Sequence, residues 1–344
     1  MKKRMLFLVT LLLVITLFGS LVASCSSEEK STAPAQPVVL KMASAATGNY
    51  IDVEQAFVDA FNARCGPDYT IEFYPAEQML SFVELLDGVR TGATDMGVIT
   101  PNFYSFDEPK LGVVELPFLF NNLSAHIEAM PELMPLYAGV LEKQFNQKLL
   151  CLHNYTGMAL LSTRPVKTLE DWDGLLVQAI SPSIAAMVEA LGASSVTGQP
   201  YTESYSLIEK GTVDAVITAP AAMRIFALTD VADYMTAAYM VPAVHGFSVN
   251  LDAWNRLPKD VQDIMLEEAQ KQSDYIDEWL KGEWEKDHQA IADAGVEIYT
   301  VPQSELERWK TVCQGICDEQ MALLGEFGQE VKAIADKVNA KYPN

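Results

Sequence analysis

The chain reads as an α/β protein of two similar lobes, each built on a doubly wound sheet, with a ligand cleft between them and one long helix spanning both. Three observations predict this. The stretch Gly92-Ala-Thr-Asp-Met-Gly-Val-Ile-Thr-Pro101 returns as Gly211-Thr-Val-Asp-Ala-Val-Ile-Thr-Ala-Pro220, so one sequence of helix end, turn, buried strand and polar stop is used twice. With 344 residues and 49% hydrophobic side chains, the chain can bury two cores. From Lys259 to Ala294 no proline intervenes and Gly282 is the one interruption; about 36 helical residues span roughly 54 Å, more than one lobe.

Met1-Lys-Lys-Arg4, the apolar run Met5 to Phe18 and Leu21-Val-Ala-Ser-Cys25 read as an export signal. The apolar run is too short to span a bilayer comfortably. A small residue before a cysteine at this place resembles the bacterial lipoprotein cleavage motif. Residues 1–24 are then a signal peptide, Cys25 is the lipid-bearing first residue, and the polar, proline-bearing residues 25–37 are a tether. The alternative is plain secretion with Cys25 incidental. Residues 1–24 hold three basic and no acidic side chains, so their removal takes the formal charge from −22 to −25. Such a surface repels nucleic acid and anionic membranes. A local group still outweighs distant charges screened over about 8 Å, so an acidic ligand is not excluded on charge alone.

Val38 to Ala43 reads as the first strand, Ile51 to Arg64 as a helix and Tyr69 to Tyr74 as a second strand stopped by Pro75. Helical spacing of Phe82, Leu85, Leu86 and Val89 leads into Gly92 and the strand Met96 to Ile99. This is a βαβαβ order. Leu111 to Phe120 is apolar, but its glycine and proline predict a packed loop or edge. In the second half Leu149 to His153, Met158 to Leu161 and Leu175 to Ile180 read as strands, Ser183 to Leu191 and Tyr201 to Lys210 as helices, and Val213 to Ile217 as the repeated strand. Gly246 to Leu251 reads as a strand crossing back to the first lobe. In the long helix Ile264, Ile276, Trp279, Leu280 and Trp284 are expected inward, beside Trp254. Val296 to Val301 and two or three helices from Ser304 to Lys341 complete the chain. The lobes are expected as 38–155 plus 244–283 and 156–243 plus 284–344. Asp95 and Asp214 are read as turn formers.

Cys65, Cys151, Cys313 and Cys317 allow three pairings, and spacing selects none. Cys313 and Cys317 lie one helical turn apart beside Asp318 and Glu319, but no histidine is near. His126, His153, His245 and His288 are scattered, so neither a metal site nor a cofactor is expected.

The exported start, Tyr74-Pro-Ala-Glu-Gln-Met79, Gly92 to Asp95, Leu116-Pro-Phe-Leu-Phe120, Arg164-Pro, Asp173-Gly-Leu175, Thr202-Glu-Ser-Tyr205 and Gly211-Thr-Val-Asp214 occur in an order that resembles the dicarboxylate-binding type of TRAP transporter solute-binding proteins. The match runs from about Leu40 to about Gly295. The resemblance implies a periplasmic-binding-protein-like fold that closes on a small organic solute and hands it to integral-membrane permease subunits driven by an ion gradient. It implies a lipid-anchored monomer of the bacterial cell envelope, in the periplasm or on the outer face of the cytoplasmic membrane. In that family an arginine after the Asp-Gly turn grips a ligand carboxylate; here the strand reads Gly174-Leu-Leu-Val-Gln178. A second arginine falls near Gly157 or Met158 and is also missing, while Val216-Ile-Thr218 replaces the usual Gln-Glu-Asn. Gln178 offers a donor and an acceptor but no charge, so a ligand neutral or weakly anionic at that end is expected. The alternative is that Arg224 supplies the missing charge.

Strand ends and family register nominate Thr47, Asn49, Gln78, Thr100 and Asn102 in the first lobe and Tyr155, Gln178, Ser181, Tyr201 and Thr218 in the second. Phe103, Tyr104, Tyr201 and Phe247 are candidate aromatic covers, and His245 is read as a structural histidine. Two other classes are a ligand-sensing lipoprotein and an envelope hydrolase using Ser181-Pro-Ser183 with His153. Against the hydrolase, no Gly-x-Ser-x-Gly or His-Glu-x-x-His motif occurs.

Overall fold

The computed structural model describes residues 36–105 and 107–343. The export signal, Cys25 and the tether up to residue 35 lie outside the described residues. β1 (Val38–Ala43) and β2 (Tyr69–Tyr74) pair in parallel from Val38 opposite Tyr69 to Ala43 opposite Tyr74. The helix between them, α1 (Asn49–Cys65), buries Val53, Phe57, Val58 and Phe61, a stripe at helical spacing that covers one face of the sheet.

Both copies of the repeat do the same structural work. α2 (Leu85–Thr91) ends at Gly92, whose φ of 77° is the left-handed cap that leads into β3 (Met96–Ile99). In the second lobe α5 (Ser204–Glu209) is followed by Gly211 at φ 67° and β7 (Ala215–Thr218). Asp95 Oδ2 accepts the Lys41 N–H of β1 at 3.0 Å, and Asp214 Oδ2 accepts the Leu176 N–H of β5 (Leu176–Gln178) at 2.9 Å. Each aspartate therefore ties the start of its strand to the neighbouring parallel strand. Their role is structural.

The two lobes do not own separate sheets. Among the described residues the strands form one sheet in the order β2-β1-β3-β8-β4-β7-β5-β6, with β6 (Ser194–Val196) at one edge and β9 (Glu297–Thr300) paired to β8. Continuity comes from β4 (Gln147–Ser162) and β8 (Tyr234–Asn250), 16 and 17 residues long, which run antiparallel to each other through both lobes. The expected strands Leu149 to His153 and Met158 to Leu161 are thus one strand. The polar Asn154-Tyr-Thr-Gly157 between them, which looks like a break in sequence, is absorbed by shifts of register between Asn154 and Thr156 and between Met158 and Leu160. The expected crossing is present: Gly246 to Val249 pair with β3 of the first lobe, and Tyr234 to Ala237 pair with β9.

A helix that the sequence reading does not assign, α3 (Leu123–Phe145), contains Pro131 and Pro135. Each proline removes one backbone donor from the helical ladder. Burial of Ala129, Leu133, Tyr137 and Leu141 along one face offsets that loss. α8 (Lys259–Asp293) confirms the long helix and packs on α1, β4 and α6 (Pro220–Ile225), thereby touching both lobes. Ile276 and Leu280 face inward as expected, while Ile264, Trp279 and Trp284 are half-buried. The inward stripe also carries Glu268, Gln272, Ser273, Glu283 and Asp287. At the C-terminus α9 (Gln303–Leu323) packs on α4 (Pro182–Ala190), whereas α10 (Glu326–Lys341) places Val331, Ile334, Ala335 and Val338 in the core formed with α3. The 326–341 segment, expected with the second lobe, therefore packs on the first.

Where β4 and β8 cross, Gly157 has no room for a side chain: an added Cβ would lie 2.2 Å from the ring of Tyr239. Gly157→Ala is expected to lower stability by about 1–3 kcal/mol through overpacking. Urea denaturation should show a lower midpoint with an unchanged slope.

Candidate functional site

The carboxyl ends of the parallel strands converge on the region between the lobes, and the nominated residues fall there in distinct settings. Thr47 and Asn49 follow β1 and Gln78 follows β2; all three are exposed. Their loops are joined by the backbone bonds Ala76 N–H to Ala46 O at 3.1 Å and Glu77 N–H to Ser44 O at 3.1 Å. Asn49 Nδ2 donates to Glu283 Oε2 of α8 at 3.5 Å. These residues form a rim.

Deeper in the first lobe, Thr100 closes β3 and Asn102 stands in the 3-10 turn Pro101–Tyr104, both buried. Asn102 Nδ2 donates to Glu115 Oε2. Glu115 ends a second 3-10 segment, Pro109–Glu115, and is 1% exposed. Thr100 Oγ1, Asn102 Oδ1 and Glu115 Oε1 have no hydrogen-bond partner within the protein. Burial pushes the Glu115 carboxyl well above the usual carboxylate range, opposed by hydrogen bonds from the Val244 backbone and from Asn102. Glu115 was missed from sequence, and its signal was there: it is the one charged residue in the apolar run Leu111 to Phe120.

On the facing lobe, Gln178 is fully buried at the end of β5. Its Nε2 donates to the carbonyls of Gln199 at 3.3 Å and Pro200 at 3.2 Å, and its Oε1 accepts from Ser204 Oγ at 2.6 Å. Gln178 thereby holds the turn that presents Tyr201. The Tyr201 hydroxyl lies 3.8 Å from Met158 Sδ and also meets Thr218 at the end of β7. Burial raises the Tyr201 pKa, opposed by the bond with Thr218, and Glu115 and Tyr155 raise it further. Ser181 caps α4, accepting the Ile184 N–H at 3.3 Å and bonding Ser183 Oγ at 3.1 Å. Asn102 and Ser181 line one cavity of about 150 Å³ from opposite sides.

Tyr155 occupies the bulge of β4, which re-aims its side chain. Its ring stacks on His245 at 4.2 Å, and its carbonyl accepts the Tyr50 hydroxyl at 3.2 Å. Burial, with His153 nearby, drives the His245 pKa well below the ordinary imidazole value. Burial also takes His153 down to about 4, opposed by its bond to the Asn154 carbonyl. Both rings are neutral at pH 7. Ser181 is committed to its helix cap and His153 packs on Phe247 and His245, so no Ser–His hydrogen bond joins them. Of the suggested aromatic covers, Phe247 is core, packed on Phe57 at 5.0 Å. Phe103 packs edge-on against Phe82, and the Tyr104 hydroxyl donates to the Val83 carbonyl at 2.7 Å.

Arg224 does not stand free as a replacement for the missing arginine. Its Nε donates to Asp287 Oδ1 at 2.8 Å and its Nη2 bonds the same oxygen. A larger cavity, 780 Å³, opens between the Pro117 to Leu119 segment and the outer faces of α9 and α10, away from the strand ends. Among the described residues no group of three or more His, Cys, Asp or Glu is placed to hold a metal ion. Cys65, Cys151, Cys313 and Cys317 are free thiols, and no described helix is long and apolar enough to cross a membrane.

A family model described as bacterial extracellular solute-binding protein, family 7, matches residues 41–323. The C4-dicarboxylate-binding periplasmic protein DctP of Rhodobacter capsulatus is 26% identical over 262 residues, covering 74% of this chain and 77% of the relative. A TRAP periplasmic solute-binding protein of Ochrobactrum anthropi, with a C-terminus bound in its ligand pocket, superposes with a TM-score of 0.82 at 24% identity, over 89% of this chain and 97% of that one. DctP7 of Bordetella pertussis, a receptor binding pyroglutamic acid, superposes with a TM-score of 0.80 at 20% identity, over 87% and 99%.

The first helix supplies a test of the electrostatics. Glu54 of α1 is 4% exposed, with Oε2 unpartnered. Burial raises its pKa from the ordinary 4.5 to about 8, opposed by a bond from Ser44. The folded state thus holds this proton more tightly than the unfolded chain does. Its contribution is full below 4.5 and is lost as pH climbs through about 8. Glu54→Gln is therefore expected to stabilise the protein by on the order of 1–3 kcal/mol at pH 7 and by little at pH 4. Urea denaturation at the two pH values reads the difference.

Proposed function

The chain belongs to family 7 of the bacterial extracellular solute-binding proteins, and on that premise we propose that its lobes close on a small organic solute held at the strand ends by Thr100 and Asn102 from one side and Ser181, Tyr201 and Thr218 from the other. Members of the family are TRAP-type receptors that bind small solutes in the periplasm and work with TRAP permease components. The observation that supports this placement is the cavity lined jointly by Asn102 and Ser181, bordered by buried polar atoms that the protein does not satisfy itself. Thr47, Asn49, Gln78 and Tyr155 form the rim and hinge side of the site. Gln178 acts from behind it by fixing the turn before Tyr201. Binding from both lobes shifts the open–closed equilibrium and turns nothing over.

The ligand end that meets the second lobe is neutral or weakly anionic. Gln178, and Gly157 or Met158, stand where the family resemblance places arginines, and Arg224 is paired with Asp287. A carboxylate buried there would lack its bidentate partner. Upstream, Cys25 carries a lipid that keeps the monomeric receptor at the membrane surface, and the permease subunits take the solute from the closed form.

Thermal denaturation of the exported protein against carboxylates, sulfonates, sugars, polyols, amines and neutral aromatics tests the reading. A ligand at about a thousand times its Kd adds about 4 kcal/mol of stability, so a match is visible. Neutral or nitrogenous compounds are expected to shift the melt and dicarboxylates to leave it unchanged; a dicarboxylate response would return the search to Arg224. For the anchor, Cys25→Ser is expected to abolish palmitate labelling and release the protein from the membrane fraction.

A further inference from the structure

Glu115, bonded to the cavity-lining Asn102, bears on what the receptor accepts. Glu115 accepts a hydrogen bond from Asn102 Nδ2, and the Val244 backbone N–H also favours its charged form. The first bond fixes the orientation of the Asn102 amide: its nitrogen faces Glu115, so its oxygen faces away. What remains open is a set of acceptors, namely Glu115 Oε1, Asn102 Oδ1 and Thr100 Oγ1, on three side chains that are each at least nine-tenths buried. They stand at one strand end and on the carboxyl that this strand end touches. Burial raises the pKa values of the Tyr137, Tyr201 and Tyr239 phenols, with Glu115 a lesser cause in each. The Tyr137 hydroxyl is committed to the Leu111 carbonyl at 3.1 Å and that of Tyr239 to His126 at 2.9 Å, so neither serves Oε1.

Charge sharpens the match. The family resemblance places arginines at Gln178 and near Gly157 or Met158, none of which is basic here, and Arg224 is held by Asp287. The nearby rings of His153 and His245 are kept neutral by burial. A buried acid with acceptors left unpaired, bonded by no basic side chain among the described residues, is the inverse of a dicarboxylate site.

We propose that Glu115, with Asn102 and Thr100, forms a subsite for a cationic nitrogen, so that the solute carries a primary ammonium, amidinium or guanidinium group and is admitted through it. A primary ammonium has three donors and no acceptor, which complements three open acceptors, and Tyr201 stands opposite on the second lobe. This assignment rests on the receptor reading above and adds the chemical class of the ligand.

The test uses the unaltered exported protein and matched probes: amines, amidines and guanidines of two to eight carbons, each with the alcohol, amide and carboxylate of the same skeleton. Titration calorimetry gives the affinities and small-angle scattering reads closure. The cationic member of a set is expected to bind at least about tenfold tighter than its neutral partners, with the carboxylate weakest. Burial favours the neutral carboxyl, which an entering cation ionises; Glu115→Gln keeps the shape and removes that capacity. It is expected to cost the cationic probe about 50-fold or more in affinity, as loss of a buried charge partner does, and to leave the neutral probes within a few-fold. Equal or tighter binding of the alcohol, amide or carboxylate overturns the cationic subsite and leaves the receptor reading intact, as does a cation preference that survives Glu115→Gln. If no probe and no fraction of a cell extract closes the lobes, the receptor reading falls and the subsite with it.

Discussion

The polar seam between the long helix α8 and the strands it crosses fixes the relation of everything else. Asp277 Oδ1 accepts both the backbone N–H and the side-chain amide of Asn154, at 3.2 and 2.9 Å, in the bulge of β4. One turn earlier, Ser273 Oγ donates to the Leu152 carbonyl at 3.1 Å. Toward the first lobe, Gln272 donates to the Val53 carbonyl of α1 at 2.6 Å and Glu268 pairs with Arg64; toward the second, Asp287 pairs with Arg224 of α6. An apolar stripe alone would let the helix slide along the sheet. Directional bonds at the crossing and at both ends fix its register.

That seam is also where motion belongs. β4 and β8 pass through both lobes, so any change of angle between the lobes is absorbed at their irregular stretch, Asn154 to Leu160, where the register shifts occur. The Tyr155 ring, stacked on His245 and 4.9 Å from Tyr50, sits on this stretch. Met158 of the same stretch lies 3.8 Å from the Tyr201 hydroxyl, which links the proposed solute site to this part of β4. Burial takes Asp277 to about 6 against the opposing bonds from Asn154, which makes the clamp itself responsive to mild acid.

Much of the architecture was legible because it follows from local rules. The repeated Gly-x-x-Asp turns appear as left-handed caps and strand ties, the first βαβ unit lies where its periodicity puts it, and the uninterrupted run after Lys259 is one helix. Two misreadings have specific causes. Pro131 and Pro135 disguise α3, whose ladder is repaired by tertiary burial, and Asn154 to Gly157 disguise the continuity of β4, because a bulge looks like a break when its partner strand is not known. The candidate site was legible as strand ends but not as a set of roles. Asn102 and Ser181 do meet a shared cavity, whereas Gln178 spends its amide on Gln199, Pro200 and Ser204.

The sequence by itself determined the lobes' repeated unit, the long helix and the absence of arginine at Gln178 and at Gly157 and Met158, because each is a property of residue type at a position. Only the tertiary structure decided that Asp287 takes Arg224, that the sheet is continuous, and that Glu115 is turned toward the interior with one oxygen open. The reason is physical: a carboxyl is costly to bury, so its meaning depends on which donors surround it. Those donors come from Asn102 and Val244, far along the chain from one another and joined only by folding.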